Sequence, residues 1–308
     1  MTPLVFIVGP TATGKSDLAL SLAEKYECEI LNADSVQAYK YLEIGVAKPT
    51  REERQRVKHH LMDVIEPPNV FTAGQYHEMA TKVIEDAPVD RPLIVVGGSG
   101  FYVQALEKGM FDVEAVPEEI EAEIRDQLED KGSDFMNQIV KQMDPEFAKT
   151  ISDKDSYRIS RALALMKAQN RTMTDIQDDF QKKQDDRALK NPKVKVGLKM
   201  DRDRLRERVR SRVEKMVEDG LVEEVMMMES LGLREWSPLK SVGYKEIWPH
   251  LDEGQSLDEV KDEIVKNTMR LAKRQMTWFK RDPQITWFES DQNDQAMAYV
   301  EDQLKDLK

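Results

Sequence analysis

The first residues that could do chemistry are Gly9-Pro10-Thr11-Ala12-Thr13-Gly14-Lys15-Ser16. They match G-x-x-x-x-G-K-[S/T], a loop whose backbone N–H groups surround phosphate oxygens at the positive end of the following helix. Lys15 would add positive charge, and the Ser16 hydroxyl could bind Mg²⁺. The pattern predicts a phosphate-binding P-loop. It leaves open whether the phosphates belong to a nucleotide or to another diphosphate ester.

Two other strand-like runs, 29–32 and 93–96, lead to polar residues that could join this loop. Asp34 follows the first run and Ser99 follows the second. Ligands of open parallel sheets gather outside the carboxyl ends of the strands, so both side chains are expected beside the P-loop. Many NTPases place a Mg²⁺-binding Asp after such a strand, where this chain has glycines. This weighs against ATP hydrolysis and makes Asp34 the best candidate for proton chemistry, with a helix N-cap as the alternative role.

The elements that must position these residues follow an α/β pattern. Strand-like runs occupy 4–8, 29–32, 93–96, 193–198 and 285–288. The first is apolar throughout, as in strands buried on both faces, and a helix-compatible run follows it at 17–26. Residues 117–191 are charged and helical in pattern. We therefore predict a P-loop NTPase-like parallel sheet core, residues 1–115 and 193–308, with an inserted all-helical domain at 116–192.

Charge is distributed unevenly along the chain. The 308 residues carry a net charge of −12, which alone argues against a polyanionic partner. However, Lys266, Arg270, Lys273 and Arg274 share one predicted helix face, and no acidic residue occurs between 266 and 281. Such a basic stretch in an acidic protein indicates contact with RNA.

Two other predicted helices also carry basic rows. Arg158 and Arg161 lie one helical turn apart and could grip phosphates, although a solvated face with local ion pairs is an equal alternative. A further row recurs at helical spacing at Arg204, Arg208, Arg212 and Lys215.

The composition of the chain argues against a membrane protein and against a disulfide-bonded one. Hydrophobic residues make up 40% of the chain and charged residues 34%, and no apolar run approaches the roughly 20 residues of a membrane-spanning helix. The single cysteine, Cys28, excludes an internal disulfide. The motif so close to Met1 leaves no room for a cleaved leader. We expect a cytoplasmic protein with no membrane association.

An ordered set of motifs resembles the bacterial tRNA dimethylallyltransferases, also called tRNA isopentenyltransferases. The motifs lie at 9–16, 32–37, 45–50, 59–63, 97–102, 157–163, 243–246 and 273–279. Ser99 stands where the family more often has Thr, and Thr13 where Ser is frequent; both keep a hydroxyl.

This resemblance implies an activity and a set of roles. The enzyme would transfer a dimethylallyl group from dimethylallyl diphosphate to the N6 amino group of adenosine-37 in tRNA. The products would be N6-dimethylallyladenosine and diphosphate. By resemblance, the P-loop holds that diphosphate, with Mg²⁺ near Ser16, and Asp34, Arg208 and Thr13 are catalytic. The resemblance further implies a monomer whose helical insertion and basic helices contact the anticodon stem-loop. The expected tRNA contacts are Asp34, Ser35, Val36, Gln37, Ser99, Arg158, Arg161, Lys266, Arg270, Lys273 and Arg274.

Two other functions fit parts of the pattern. A P-loop kinase of a small metabolite would use the phosphate loop and the α/β core, and would consume ATP. A noncatalytic RNA-binding protein with a nucleotide switch would use the basic helices but would leave Asp34 without a role.

Overall fold

A parallel sheet organises the larger part of the molecule. The computed structural model describes residues 1–110 and 116–306, without the side chains of 183–187. The strands are β1 Leu4–Val8, β2 Ile30–Asn32, β3 His59–His60, β4 Leu93–Gly97, β5 Lys193–Lys199 and β6 Thr286–Glu289. They pair in parallel in the order β3-β2-β4-β1-β5-β6. The predicted α/β class with a parallel sheet is confirmed. The short β3 was not predicted, because two histidines carry no strand pattern.

Helices connect and cover the strands. They are α1 Lys15–Lys25, α2 Arg51–Arg56, α3 Ala73–Asp86, α4 Gly100–Lys108, α5 Glu118–Met143, α6 Pro145–Ala148, α7 Ser156–Gln169, α8 Met173–Arg187, α9 Arg202–Glu218, α10 Leu221–Ser230, α11 Trp248–Glu253, α12 Leu257–Phe279 and α13 Asn293–Asp306. A 3₁₀ turn at Ser237–Lys240 precedes α11. Non-helical backbone at Gly132 divides α5 into two segments.

The central strand explains where the core lies. Every residue of β1 is buried, since β4 and β5 flank it and helices cover both faces. Leu18 and Leu22 of α1 pack against one face of the sheet, together with Val300 of α13. The P-loop, which joins β1 to α1, is therefore anchored at both ends by buried elements.

The chain divides into two compact units, Met1–Glu107 with Lys190–Lys308 and Lys108–Leu189. In its described residues the second unit contains helices and connecting loops but no strand, and it has its own core, which includes Met136, Val140 and Ile159. The domain boundary that we predicted at 115 lies outside the described residues. Across 1–110 and 116–306, no helix combines the length and apolar character needed to cross a bilayer.

Candidate active site

The P-loop adopts a backbone shape suited to phosphate. Gly14, the residue before α1, has φ of 89°, in the left-handed region that glycine enters without steric cost. Gly9 has φ of 136°, and a Cβ there would lie 2.3 Å from the carbonyl oxygen of Leu198. Thr13 is buried and its Oγ1 donates to the carbonyl oxygen of Pro10 at 2.8 Å. Thr13, assigned to catalysis by resemblance, thus lies inside the loop and helps to fix its shape.

Lys15 lies at the centre of the charged groups of the site. Its Nζ donates to the carbonyl oxygen of Pro10 at 2.6 Å. Burial lowers the pKa of Lys15 to about 8, opposed by the negative charge of Asp34 and reinforced by the positive charge of Arg212. Strands β1 and β2, separated in the sheet by β4, therefore bring Lys15 and Asp34 close together, as we predicted from the carboxyl ends of the strands.

Asp34 has one oxygen engaged and one available. Its Oδ1 accepts a hydrogen bond from the backbone N–H of Val36 at 3.0 Å, and the backbone N–H of Asp34 donates to Asn32 Oδ1 at 3.1 Å. No helix begins here, so Asp34 caps a turn and not a helix. Among the described residues nothing donates to its Oδ2, which leaves that oxygen able to accept a proton.

The residues after Asp34 are held by side chains from neighbouring loops. Ser99 Oγ accepts from the backbone N–H of Ser35 at 3.0 Å and lies 3.2 Å from Ser35 Oγ. Gln37 Nε2 donates to the carbonyl oxygens of Val46 and Ala47 at 3.1 and 3.2 Å. The structure thus brings Ser99 and the segment from Asp34 to Gln37 together at one rim of the sheet.

Two arginines of α9 approach the P-loop, and sequence reasoning chose only one of them. Arg208 is exposed, with NH2 3.5 Å from Asp17 Oδ2. Arg212 is half-buried and donates to Thr11 Oγ1 at 3.2 Å. Burial lowers the pKa of Arg212, opposed by Asp34. Arg212 stands four residues after Arg208 in the basic row of the sequence, and this spacing was the available signal.

Gln275 of α12 is a second residue that sequence reasoning left out of the site. Its Oε1 accepts from the backbone N–H of Thr11 at 2.9 Å, and its Nε2 donates to the carbonyl oxygen of Gly98 at 3.1 Å. A Cβ at Gly98 would lie 2.4 Å from Nε2, so a side chain there would displace the Gln275 amide. One side-chain amide therefore joins the P-loop, the loop after β4 and α12.

Trp278 packs where α12 crosses the start of α4. A Cβ at Gly100 would lie 2.2 Å from Trp278 Cδ1, and the Phe101 ring meets the Trp278 ring edge to face at 6.4 Å. Phe101 remains 51% exposed. The structure thus shows Trp278 in a packing contact with α4.

The basic face of α12 is exposed. Lys266, Arg270, Lys273 and Arg274 all reach solvent. Lys266 pairs with Glu263 at 2.9 Å, and Arg270 donates to Asn267 Oδ1 at 3.0 Å. A capping box begins the helix, with Ser256 and Glu259 exchanging hydrogen bonds.

The opposite side of α12 is buried at Val260 and Ile264, and Leu271 is half-buried. Val265 and Ala272 complete the buried side.

In the second unit, the paired arginines of α7 make local ion pairs. Arg158 lies 3.4 Å from Asp155, and Arg161 lies 2.8 Å from Glu121 of α5. Both arginines are exposed, so these ion pairs are weak and exchangeable. Of the two sequence interpretations, the local ion pairs are what the structure shows.

Magnesium would have few protein ligands here. Among the described residues no three His, Cys, Asp or Glu side chains gather as a metal cluster. Ser16 and Asp17 are exposed at the start of α1. These residues fit a Mg²⁺ ion that keeps several waters and is held mainly by substrate phosphates.

The fold and site define a P-loop α/β protein whose phosphate loop faces a carboxylate and two arginines. A profile of the family described as IPP transferase matches residues 37–282. A tRNA dimethylallyltransferase of Bdellovibrio bacteriovorus is 45% identical over 287 residues, covering 93% of this chain and 92% of the relative. One of Geobacter metallireducens is 39% identical over 292 residues, covering 94% and 93%.

The chain is also similar in structure to solved proteins with these functions in their names. The tRNA isopentenylpyrophosphate transferase of Bacillus halodurans superposes with a TM-score of 0.71 at 30% identity, covering 99% of this chain and 98% of that one. A eukaryotic dimethylallyltransferase acting on tRNA has a TM-score of 0.79 at 24% identity, covering 94% and 74%, which shows a shared fold. The chain belongs to the IPP transferase family.

Proposed function

We propose that this protein transfers a dimethylallyl group from dimethylallyl diphosphate to the N6 amino group of adenosine-37 in tRNA. The observation that carries the proposal is the placement of Asp34 beside Lys15 and Arg212, with one carboxylate oxygen available. A phosphate loop facing a proton acceptor is what an alkyl transfer from a diphosphate to an amine requires. The relatives named tRNA dimethylallyltransferase supply the identity of donor and acceptor.

The diphosphate leaving group accounts for the positively charged residues of the site. As the carbon–oxygen bond of the allylic diphosphate breaks, negative charge develops on the diphosphate, and fixed donors stabilise it. In this proposal the P-loop N–H groups and Lys15 fill this role, with Arg212 and Arg208 beside the loop. Mg²⁺ bound near Ser16 would supply further positive charge to the diphosphate.

The adenine amino group, which accepts the allyl group, needs a base, and this accounts for the Asp34 carboxylate in the site. The lone pair of the adenine amino nitrogen is delocalised into the ring, so the nitrogen is a poor nucleophile. It loses a proton as its bond to the allylic carbon forms, and Asp34 Oδ2 is the proton acceptor in this proposal. The adenosine must leave its stack to reach this position, at a cost of a few kcal/mol that contacts elsewhere on the RNA offset.

The residues expected to supply those contacts are half-buried around Asp34 and exposed on α12. Ser35, Val36, Gln37 and Ser99 surround Asp34, and Lys273 and Arg274 lie on the exposed face of α12. Arg158 and Arg161 would add contacts from the second unit by exchanging their ion pairs for RNA phosphates.

The test is incubation of the purified protein with unmodified tRNA, Mg²⁺ and dimethylallyl diphosphate labelled in the allyl group. Label recovered with the tRNA, dependent on the enzyme and unaffected by ATP, would support the proposal. Unlabelled tRNA in a reaction where the folded protein consumes ATP and phosphorylates a small molecule would contradict it and favour a kinase.

A further inference from the structure

Helices α9 and α12 enclose a groove beside the P-loop. It has a volume of about 1010 Å³ and is lined along its floor by Leu205, Val265, Met269 and Met276. Pro10 of the P-loop also reaches it. We call it the α9–α12 groove.

The rim of the α9–α12 groove is basic on both sides. Arg202, Arg206 and Arg210 line it from α9, and Arg270, Lys273 and Lys280 line it from α12 or just after it. This α9 row is a different face from the one noted in the sequence, whose Arg204 pairs with Asp291 and whose Arg212 contacts the P-loop.

Most of these cations have no internal partner. Arg210 pairs with Asp262, the one carboxylate of the lining, at 2.8 Å. Within the described part of the chain, no carboxylate lies within 4.0 Å of a charged nitrogen of Arg202, Arg206, Lys273 or Lys280. All four side chains are exposed. In a protein of net charge −12, such an unneutralised group of cations favours an anionic occupant.

The positions of the basic residues indicate which kind of anion fits the α9–α12 groove. Arg202 and Arg206 are four residues apart, and successive turns of a helix place such side chains about 6 Å apart along the axis. From Lys266 to Lys280 the basic residues extend over about 20 Å of α12 at 1.5 Å per residue. A single diphosphate would need cations converging on one point, whereas these cations form two rows, which suits a chain of phosphates.

We propose that the α9–α12 groove binds a stretch of the sugar–phosphate backbone of the tRNA, with Arg202 and Arg206 forming a wall opposite Lys273. This inference rests on the proposed function, since it takes tRNA as the substrate. It adds a wall on α9 to the expected contacts of α12, and the apolar floor lets sugars or bases pack between the two rows.

The experiment compares a double variant, Arg202→Gln with Arg206→Gln, with a matched control, Arg51→Gln with Lys82→Gln. Both remove two exposed positive charges from the first unit, and neither pair belongs to the catalytic machinery. Binding of an unmodified tRNA is measured over a range of salt concentrations, and turnover at saturating tRNA is measured in the same preparations.

The groove variant is expected to bind tRNA more weakly, and the slope of log K against log salt should become less negative by about 1.4, at about 0.7 for each lost contact to single-stranded phosphate. The control and the turnover at saturating tRNA should match the wild type. A salt slope equal to those of the wild type and the control would overturn the proposal.

A second arm distinguishes the other amphipathic anion that could fit. If the groove variant loses affinity for a fifteen-carbon prenyl diphosphate while its tRNA slope is unchanged, the groove binds isoprenoids and the RNA proposal is wrong. If the wild type transfers no label to tRNA although the groove variant still shows the altered slope, the proposed function fails and the RNA-binding groove stands.

Discussion

At the scale of single residues, the account assigns different roles to two neighbouring charged groups, Asp34 and Lys15. Asp34 offers a carboxylate oxygen for a proton, and Lys15 offers charge to a diphosphate. Their mutual attraction partly offsets the burial of Lys15, whose pKa nevertheless falls to about 8. Such a lowered pKa is common at functional sites, where binding takes precedence over stability.

Asp34→Asn isolates the proton-accepting role. The amide oxygen of Asn can still accept from the Val36 N–H, so the turn is retained, but Asn cannot take up a proton. Turnover should fall about a hundredfold or more, as for the loss of a general base, while the Kd for tRNA stays within about twofold. Single-turnover kinetics and tRNA binding assays measure the two quantities separately. An equal loss of both would instead make Asp34 an RNA contact or a structural residue.

The lowered pKa of Lys15 predicts a pH dependence. Lys15 in the free enzyme is charged below about pH 8 and loses its proton as the pH rises through that value. The kcat/KM for dimethylallyl diphosphate should therefore fall by about tenfold per pH unit above this point. In Lys15→Arg the positive charge persists above pH 8. Whatever the absolute kcat/KM of this variant, its kcat/KM should therefore not fall as the pH rises through 8. A fall at pH 8 in both proteins would assign the transition to another group.

At the scale of elements, α12 connects its exposed basic face with the phosphate loop. Lys273 and Arg274 are exposed, and the next residue, Gln275, reaches Thr11 and Gly98. These partners are more than 170 positions away in the chain, which is why sequence spacing could not reveal them. For Arg212, the spacing from Arg208 indicated a shared helix face, but not the contact with Thr11, which links helix α9 to the first loop.

Gln275→Ala should weaken donor use by loosening the P-loop. Two hydrogen bonds of about 1 kcal/mol each correspond to a loss of about 10- to 30-fold in kcat/KM for the diphosphate. The exposed Gln284→Ala serves as the control, since the side chain of Gln284 makes no hydrogen bond with the described residues. Gln275→Glu keeps the acceptor for the Thr11 N–H but turns a carboxylate oxygen towards the Gly98 carbonyl oxygen, so its kcat/KM should be no higher than that of Gln275→Ala. A change confined to the KM for tRNA would place Gln275 in RNA binding.

A buried carboxylate positions the loop that holds Gln37. Glu224 of α10 accepts from the backbone N–H groups of Glu43, Ile44 and Gly45 at 2.8, 2.9 and 3.1 Å, and from the Tyr244 hydroxyl at 2.6 Å. The next residues in this loop, 46 and 47, accept the hydrogen bonds of Gln37. Burial, reinforced by Glu224, raises the pKa of Tyr244 well above its usual value, so this hydroxyl remains a donor.

Glu224→Gln should therefore destabilise the fold by about 2 kcal/mol, because hydrogen bonds to a charged acceptor are worth about 1.5–3 kcal/mol each and an amide replaces only part of them. The neighbouring Glu223→Gln, at an exposed position, should leave the free energy of unfolding unchanged. Denaturant titration measures both variants. Equal stability of the two would show that the loop is held by its other contacts.

At the scale of the whole molecule, local patterns predicted most elements and the general position of the site. The buried strand β1 and the P-loop were predicted to the residue, because burial on both faces leaves an unbroken apolar run. Strand β3 has only two residues and no such run, so pairing with β2 alone defines it. The site depends on contacts between distant segments, and only Asp34 and Ser99 could be placed in advance, from the shared edge of parallel strands.

The distribution of charge is the other property of the whole chain. A net charge of −12 repels RNA at long range, so binding depends on local basic surfaces. Reversing charge in Lys273→Glu with Arg274→Glu should weaken tRNA binding and make its salt slope less negative by about 1.4, the value for two lost phosphate contacts. The same reversal at Arg51 and Lys82 should have a much smaller effect. Unchanged salt dependence in the α12 variant would exclude this surface from the RNA interface.

The most direct measurement of the central claim is the chemical position of the transferred group. tRNA is incubated with the wild-type protein or with Asp34→Asn, and the nuclease-digested nucleosides are separated and analysed by mass. The account predicts N6-dimethylallyladenosine from the wild type, mapped to position 37, and little from the variant. Modification at another atom or position, or equal yields from both proteins, would contradict it.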